Sequence, residues 1–284
     1  MPRRAPPRRR ARPQRTSRAR PPLGQHFLKD VGIRNRIFSL LRCRPEDCWL
    51  EIGAGHGEMT LALAQAGGSL AAVERDPKLA VGLLTLLSGF PRARVVEDDI
   101  LGISLPTLAE EMGCPRLRVY GNLPYYITSP ILHHLFTSIS TIADIHVMVQ
   151  REVADRLVAR PGGRDYGYLS VLTQWHTAPE VLLPVPRGAF QPPPQVESAL
   201  VRLGMPGKGA TLDVGDADAF LRFVGACFHQ KRKTLRNNLR GAYPLAQVET
   251  ALAALALDPR ARAEELTLEQ CARLYRLLHQ EIHP

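Results

Sequence analysis

The chain has 284 residues, 45% of them hydrophobic and 23% charged, which is enough apolar side chain for one large domain, or an ordinary domain with a smaller companion. That balance excludes a fibrous chain or one disordered throughout, and no apolar run approaches the ~20 residues that cross a bilayer. The net charge of +10 is concentrated at one end: residues 1–22 hold nine Arg and no acid, leaving +1 for the rest.

That first segment, "MPRRAPPRRRARPQRTSRARPP", has no apolar periodicity and reads as a disordered Arg/Pro-rich tail. Arg-rich tails of this kind usually meet nucleic acid phosphates. A solubilising extension is the plainer alternative, and the prolines argue against the amphipathic helix of an organelle transit peptide. The chain carries no charged-then-apolar leader, so a cytoplasmic protein without a membrane partner is expected. The five cysteines are odd in number and form no CxxC pair. That pattern predicts neither a disulfide framework nor a structural zinc site, and suits a reducing compartment.

Beyond the tail, "LGQHFLKDVGIRNRIFSLL" predicts a loop leading into a helix. "CWLEIGAGHGEMTLALAQAGG" follows as a short apolar strand, a Gly-rich turn and an amphipathic helix. "SLAAVERD" reads as a second strand and "PKLAVGLLTLLSGF" as a helix opened by Pro77, where proline is tolerated. "ARVVEDDIL" is a third strand, and "LRVYGNLPYY" a fourth that runs into a loop. A helix, "SPILHHLFTSI", and a fifth strand, "DIHVMVQ", complete the alternation. Strands alternating with helices predict an α/β fold with a parallel sheet covered on both faces. Ligands bind such sheets beyond the carboxyl ends of the strands. From "LGMPGKGATLDVGDAD" the character changes to a linker, followed only by helical patterns. The expected organisation is a tail at 1–22, an α/β domain at 23–205 and a small all-helical domain at 206–284.

The Gly-rich turn supplies Gly53, Gly55 and Gly57. A dinucleotide fingerprint would place its last glycine at position 58, which is Glu58, so the nicotinamide pattern fails. Glu74 ends the next strand, 21 residues past Gly53, where an acid holds ribose hydroxyls. Asp99 follows the third strand, in reach of an adenine amine. Glu51, Glu74 and Asp99 are expected to line one acidic pocket. Such a pocket repels pyrophosphate and suits S-adenosylmethionine, which carries a sulfonium and an ammonium.

"GNLPYY" supplies what methylation of an exocyclic adenine amine needs. That amine is a poor nucleophile because its lone pair is delocalised. Two acceptors that hold its hydrogens turn the lone pair toward the methyl donor. The Asn122 side-chain oxygen is one acceptor and the Leu123 carbonyl another. Pro124 holds Leu123 extended, and Tyr125 offers a face on which a base can stack. In "FHQKRKTLRNNLR", Arg232, Arg236 and Arg240 recur at i, i+4 and i+8 and are expected on one helix face with Lys233 beside them, along RNA phosphates. His133 and His134 have no partners at metal spacing and read as ordinary helix residues, so no metal is expected.

Together "GQHFL", "EIGAGHGEMT", "VERD", "DDIL", "GNLPYYITSPIL", "MVQREVADRL", "FQPPPQVESALVRL" and "FHQKRKTLRNNL" resemble the bacterial small-subunit ribosomal RNA adenine dimethyltransferases. The resemblance spans residues 23–284. It implies a Rossmann-like, S-adenosylmethionine-dependent methyltransferase domain with a small helical C-terminal domain, acting as a monomer. It also implies N6,N6-dimethylation of two adjacent adenosines in the hairpin near the 3′ end of 16S rRNA, within the assembling small ribosomal subunit. Carried over residue by residue, the cofactor would meet His26, Leu28, Gly53, Glu74, Asp99 and Asn122. Phe190 would form a second aromatic face around the target adenine. His26 stands where the family often has Asn. The 23S rRNA methyltransferases of macrolide resistance share the NxPY loop, but usually lack the "FQPPPQVESALV" and "KRKTLRNNL" pair. A relative that binds without turnover would have lost part of the acidic pocket or the NLPY loop, and both are whole here.

Overall fold

The computed structural model describes residues 26–280; the Arg-rich tail lies outside that range. The chain opens with β1 (Phe27–Leu28) and α1 (Val31–Leu41), capped by Asp30, whose carboxylate accepts from the Ile33 amide. β2 (Cys48–Ile52), α2 (Glu58–Gln65), β3 (Ser69–Glu74) and α3 (Pro77–Leu86) follow the expected alternation. β4 (Ala93–Glu97), α4 (Leu105–Glu111), β5 (Leu117–Asn122), α5 (Thr128–Thr137) and β6 (Ile142–Gln150) continue it. Then come α6 (Arg151–Val158), α7 (Tyr168–His176), β7 (Ala178–Val185), β8 (Phe190–Gln191) and β9 (Ser198–Gly204). The C-terminal part contains α8 (Ala217–Cys227), α9 (Leu235–Leu239), α10 (Leu245–Ala254) and α11 (Leu268–Gln280).

The main sheet has seven strands in the order β4-β3-β2-β5-β6-β9-β7. The five from β4 to β6 are parallel, whereas β9 and β7 pair antiparallel. The expected parallel sheet is therefore mixed at one edge. β7 occupies that edge and carries Pro179 and Pro184, residues that cannot donate to a second neighbour and suit an edge strand. β1 and β8 form a separate two-stranded sheet.

Side chains alternate across β2. Cys48, Leu50 and Ile52 join one apolar cluster with Leu108 and Leu132, from α4 and α5. Trp49 joins another, with Ile37, Leu63 and Leu83 from α1, α2 and α3. The sheet is thus the middle of three layers. A further cluster built around Phe220, Leu235, Leu252 and Leu274 holds the C-terminal helices together and includes Val171 and Trp175 of α7.

At the amino ends of the strands, Arg118 donates to Asp47 at 2.6 Å and to Asp144 at 2.9 Å. Its guanidinium lies 4.4 Å from the Trp49 ring centroid. Nearby, Cys48 and Cys114 form a disulfide with Cα atoms 6.1 Å apart. The cysteine pattern predicted no disulfide framework, and the structure has this one bridge, with Cys43, Cys227 and Cys271 free. Parallel pairing of β2 with β5 brings the start of one strand beside the turn that leads into the other, a proximity that cysteine spacing does not reveal.

The basic helix face is also corrected. The helix expected from Lys231 onward begins only at Leu235. Thr234 caps it through the Asn237 amide, and Asn238 donates to the carbonyls of Cys227 and Gln230, fastening the preceding residues in a turn. Arg232 and Lys233 lie in that turn and Arg240 lies just past the helix; all are exposed. Arg236 is bound to Glu249 at 2.8 Å. The four cations are therefore surface groups, but they do not form one helical stripe.

Candidate active site

Four parallel strands deliver their carboxyl ends to one cavity of about 820 Å³, open mouth included. β2 contributes the Gly-rich turn. The Gly53 and Ala54 amides donate to the Val73 carbonyl, at 2.9 and 3.2 Å, closing that turn over β3. Gly53 and Gly55 have φ of 72° and 60°, a left-handed conformation that glycine adopts without penalty. A Cβ at Gly55 would also meet the Phe27 ring at 3.1 Å. Glycine here lets Phe27 lie directly on the turn and wall the cavity.

β3 contributes Glu74, which is 4% exposed. One of its carboxylate oxygens accepts from Gly55 N at 2.8 Å, and the other from Asp76 N at 2.9 Å. Each oxygen keeps a second lone pair for a ligand hydroxyl. The next residue, Arg75, reaches Asp99 at 3.1 Å. Asp98 and Asp99, just past β4, both line the cavity. Three carboxylates against one guanidinium leave the cavity net negative, which suits a cationic ligand.

β5 contributes the Asn-Leu-Pro-Tyr loop. Asn122 Nδ2 donates to the His26 carbonyl at 2.8 Å. That bond commits the amide's donor end and leaves its oxygen as the free end. The Leu123 amide donates to Met148 O at 3.1 Å. The Leu123 carbonyl receives no hydrogen bond among the described residues. Pro124 O accepts from the Ile127 amide and the Thr128 hydroxyl, each at 3.1 Å, which makes the loop a closed turn. The Tyr125 hydroxyl and Ser198 Oγ are 2.8 Å apart, and burial raises the phenol's pKa. The ring therefore stays neutral and fixed in place.

Of the sequence-derived cofactor residues, His26, Gly53, Glu74, Asp99 and Asn122 line this cavity, together with Leu123, Pro124 and Tyr125. His26 takes part by unexpected means. Its ring stacks on Tyr125, centroids 5.4 Å apart and planes 28° apart, and its Nδ1 donates to Pro192 O at 2.8 Å. Three expected residues lie outside the cavity lining. Leu28 is 8% exposed and Phe190 3%; they pair with each other across β1 and β8 and pack in the core. Neither offers the cavity a free face. Glu51 is 3% exposed, on the Trp49 face of β2 and away from the cavity. Burial pushes its carboxyl up to about 8, reinforced by the nearby Glu58 and Glu74 carboxylates. Sequence reasoning missed Phe27, Arg75, Asp98 and Tyr126, all of which line the cavity. Each adjoins a residue that was found, so extending each motif by one position would have recovered them.

Acidic groups at successive strand ends, with an Asn-Leu-Pro-Tyr loop beside them, define a Rossmann-like methyltransferase. A family model described as "Ribosomal RNA adenine dimethylase" matches residues 16–280, and the chain belongs to that family. Among curated relatives, the "Ribosomal RNA small subunit methyltransferase A" of Nitrosococcus oceani is 42% identical over 259 residues, covering 91% of this chain and 96% of the relative. The protein of the same description from Acidobacterium capsulatum is 44% identical over 260 residues, covering 91% of each. Among solved structures, a dimethyladenosine transferase from Plasmodium falciparum shares the fold, with TM-score 0.73, 23% identity, and coverage of 88% of this chain and 96% of that one. The 23S rRNA methyltransferase ErmE superposes with TM-score 0.67 and 30% identity, covering 89% and 99%.

Proposed function

We propose that this enzyme uses S-adenosylmethionine to dimethylate N6 of two adjacent adenosines in the hairpin near the 3′ end of 16S rRNA. It would act in the cytoplasm, as a monomer, on the assembling small ribosomal subunit, and so serve ribosome biogenesis. The observation that carries the reading is the pair of free acceptors at Asn122 and Leu123 beside an acid-lined cavity. Identity of 42–44% to small-subunit rRNA methyltransferases supports a small-subunit rRNA substrate. A catalytic unit at 23–205 and an RNA-binding unit at 206–284 are the working division.

The cavity fits the cofactor. Glycines at 53 and 55 keep the turn free of side chains, Glu74 presents acceptors for ribose hydroxyls, and Asp99 presents one for an adenine amine. When bound, S-adenosylmethionine supplies a methyl group activated by its sulfonium. The remaining work belongs to the chain. Asn122 Oδ1 and the Leu123 carbonyl accept hydrogen bonds from the target amine and turn its lone pair toward the methyl donor; each methyl gained replaces one N–H hydrogen, which leaves as a proton past that acceptor to solvent. Tyr125 supports the base by stacking, worth roughly 1–3 kcal/mol, which offsets part of the cost of unstacking it from RNA. Catalysis is then mainly alignment. An N6-monomethyl adenine keeps one hydrogen for one acceptor, so a second transfer remains possible. Exposed Arg232, Lys233, Arg236 and Arg240 would meet RNA phosphates.

The test is transfer of tritiated methyl groups to unmethylated small subunits, with large subunits and naked RNA as controls. Label confined to small subunits supports the reading. Equal or preferential labelling of large subunits would refute it.

A further inference from the structure

We propose that Tyr126 stacks on a nucleotide next to the target adenosine and holds the RNA open while that adenosine occupies the cavity. This rests on the functional reading above. The chain has seven tyrosines, and six have their rings engaged. Tyr120, Tyr166 and Tyr275 are buried. Tyr168 stacks on His133, Tyr243 packs on Phe223, and Tyr125 is held by Ser198 and stacked on His26. Tyr126 is 58% exposed and meets no other ring among the described residues. It also lines the mouth of the cavity that holds Asn122 and Leu123.

Its position is set by the backbone. The Ile127 amide and the Thr128 hydroxyl both close onto Pro124 O, so Tyr126 sits on the corner of a fixed turn just before α5. A rigid turn that presents a bare aromatic face forgoes the burial such a ring ordinarily gains. A base recovers it. When one adenosine leaves the RNA stack, its neighbour loses a stacking partner. A ring fixed at the cavity mouth supplies a replacement for any base, because every base has a π-face. Tyr126 is thus a positioning residue that acts on the neighbouring nucleotide, distinct from Tyr125, which supports the target.

The experiment compares the wild type, Tyr126→Ala and Tyr126→Phe in steady-state methylation of unmethylated small subunits, with S-adenosylmethionine affinity measured by calorimetry. Loss of one base stack predicts a KM for the subunit raised about 5- to 150-fold in Tyr126→Ala. Its kcat and cofactor affinity should be unchanged, and Tyr126→Phe should behave as wild type, because stacking needs the ring and not the hydroxyl. A wild-type KM in Tyr126→Ala overturns the inference. So does weakened cofactor binding in that variant, or a Phe variant as impaired as Ala. A wild-type enzyme that methylates no small-subunit RNA would overturn the functional reading and this inference with it. An active wild type with an unaffected Ala variant overturns this inference alone.

Discussion

Replacing Glu51 by Gln should flatten the pH dependence of stability and strengthen the fold at neutral pH. The Glu51 carboxyl is buried on the Trp49 face of β2, and one of its oxygens has no hydrogen-bond partner. Burial is the chief cause that raises it from an ordinary 4.5 to about 8. Between those values the native state keeps a proton that the unfolded chain has released. Stability is therefore full below pH 4.5 and falls as pH rises toward 8, by about 1.4 kcal/mol per pH unit. Over the whole window the loss is at most about 5 kcal/mol. An amide has the carboxyl's shape and no charge to desolvate, so Glu51→Gln removes that slope. Urea unfolding of both proteins at intervals from pH 5 to 8.5 measures it. The difference in unfolding free energy should grow with pH in favour of the Glu51→Gln variant. Parallel profiles would refute the reasoning and mean that Glu51 is ionised and solvated.

Three further outcomes are expected. Glu74→Ala should weaken S-adenosylmethionine binding by about 1.5–3 kcal/mol, the worth of a charge-assisted hydrogen bond; unchanged affinity by calorimetry would remove Glu74 from the site. Arg118→Ala strands Asp47 and Asp144, both largely buried, and should cost about 3–5 kcal/mol of unfolding free energy; a loss below about 1 kcal/mol in urea titration would show the triad to be solvated. Reducing the Cys48–Cys114 bridge, which spans 66 residues, should cost about 4 kcal/mol on the chain-entropy argument. It would be seen as a lower thermal midpoint in reductant, absent from the Cys48→Ser/Cys114→Ser variant.

The site was legible where function is carried by backbone and by residues at strand ends. Gly53, Glu74, Asp99 and Asn122 end or follow strands that alternate with helices, so their convergence at the carboxyl ends of one parallel sheet followed from topology. Glu51 misled because it sits inside such a strand. The two-residue period that pairs it with Trp49 placed it on the opposite face from Leu50 and Ile52, and motif reading overlooked that alternation. Leu28 and Phe190 lie in recognisable motifs, yet each is half of a strand pair formed across a gap of more than 160 residues, which no local pattern encodes. The antiparallel β7 and β9 were hidden for the same reason. The basic run near Arg232 has helical spacing, but Thr234 is a helix cap and Asn238 ties off the turn before it, so local hydrogen bonding overrode periodicity.

The central claim is that Asn122 and Leu123 present a target adenine amine for two successive methyl transfers. Mass spectrometry of nucleosides from small subunits treated with the wild type and with Asn122→Ala tests it most directly. The account predicts N6,N6-dimethyladenosine with the wild type, and almost none with Asn122→Ala despite an intact fold by circular dichroism. Monomethyladenosine alone from the wild type, or near-normal dimethylation by Asn122→Ala, would contradict it.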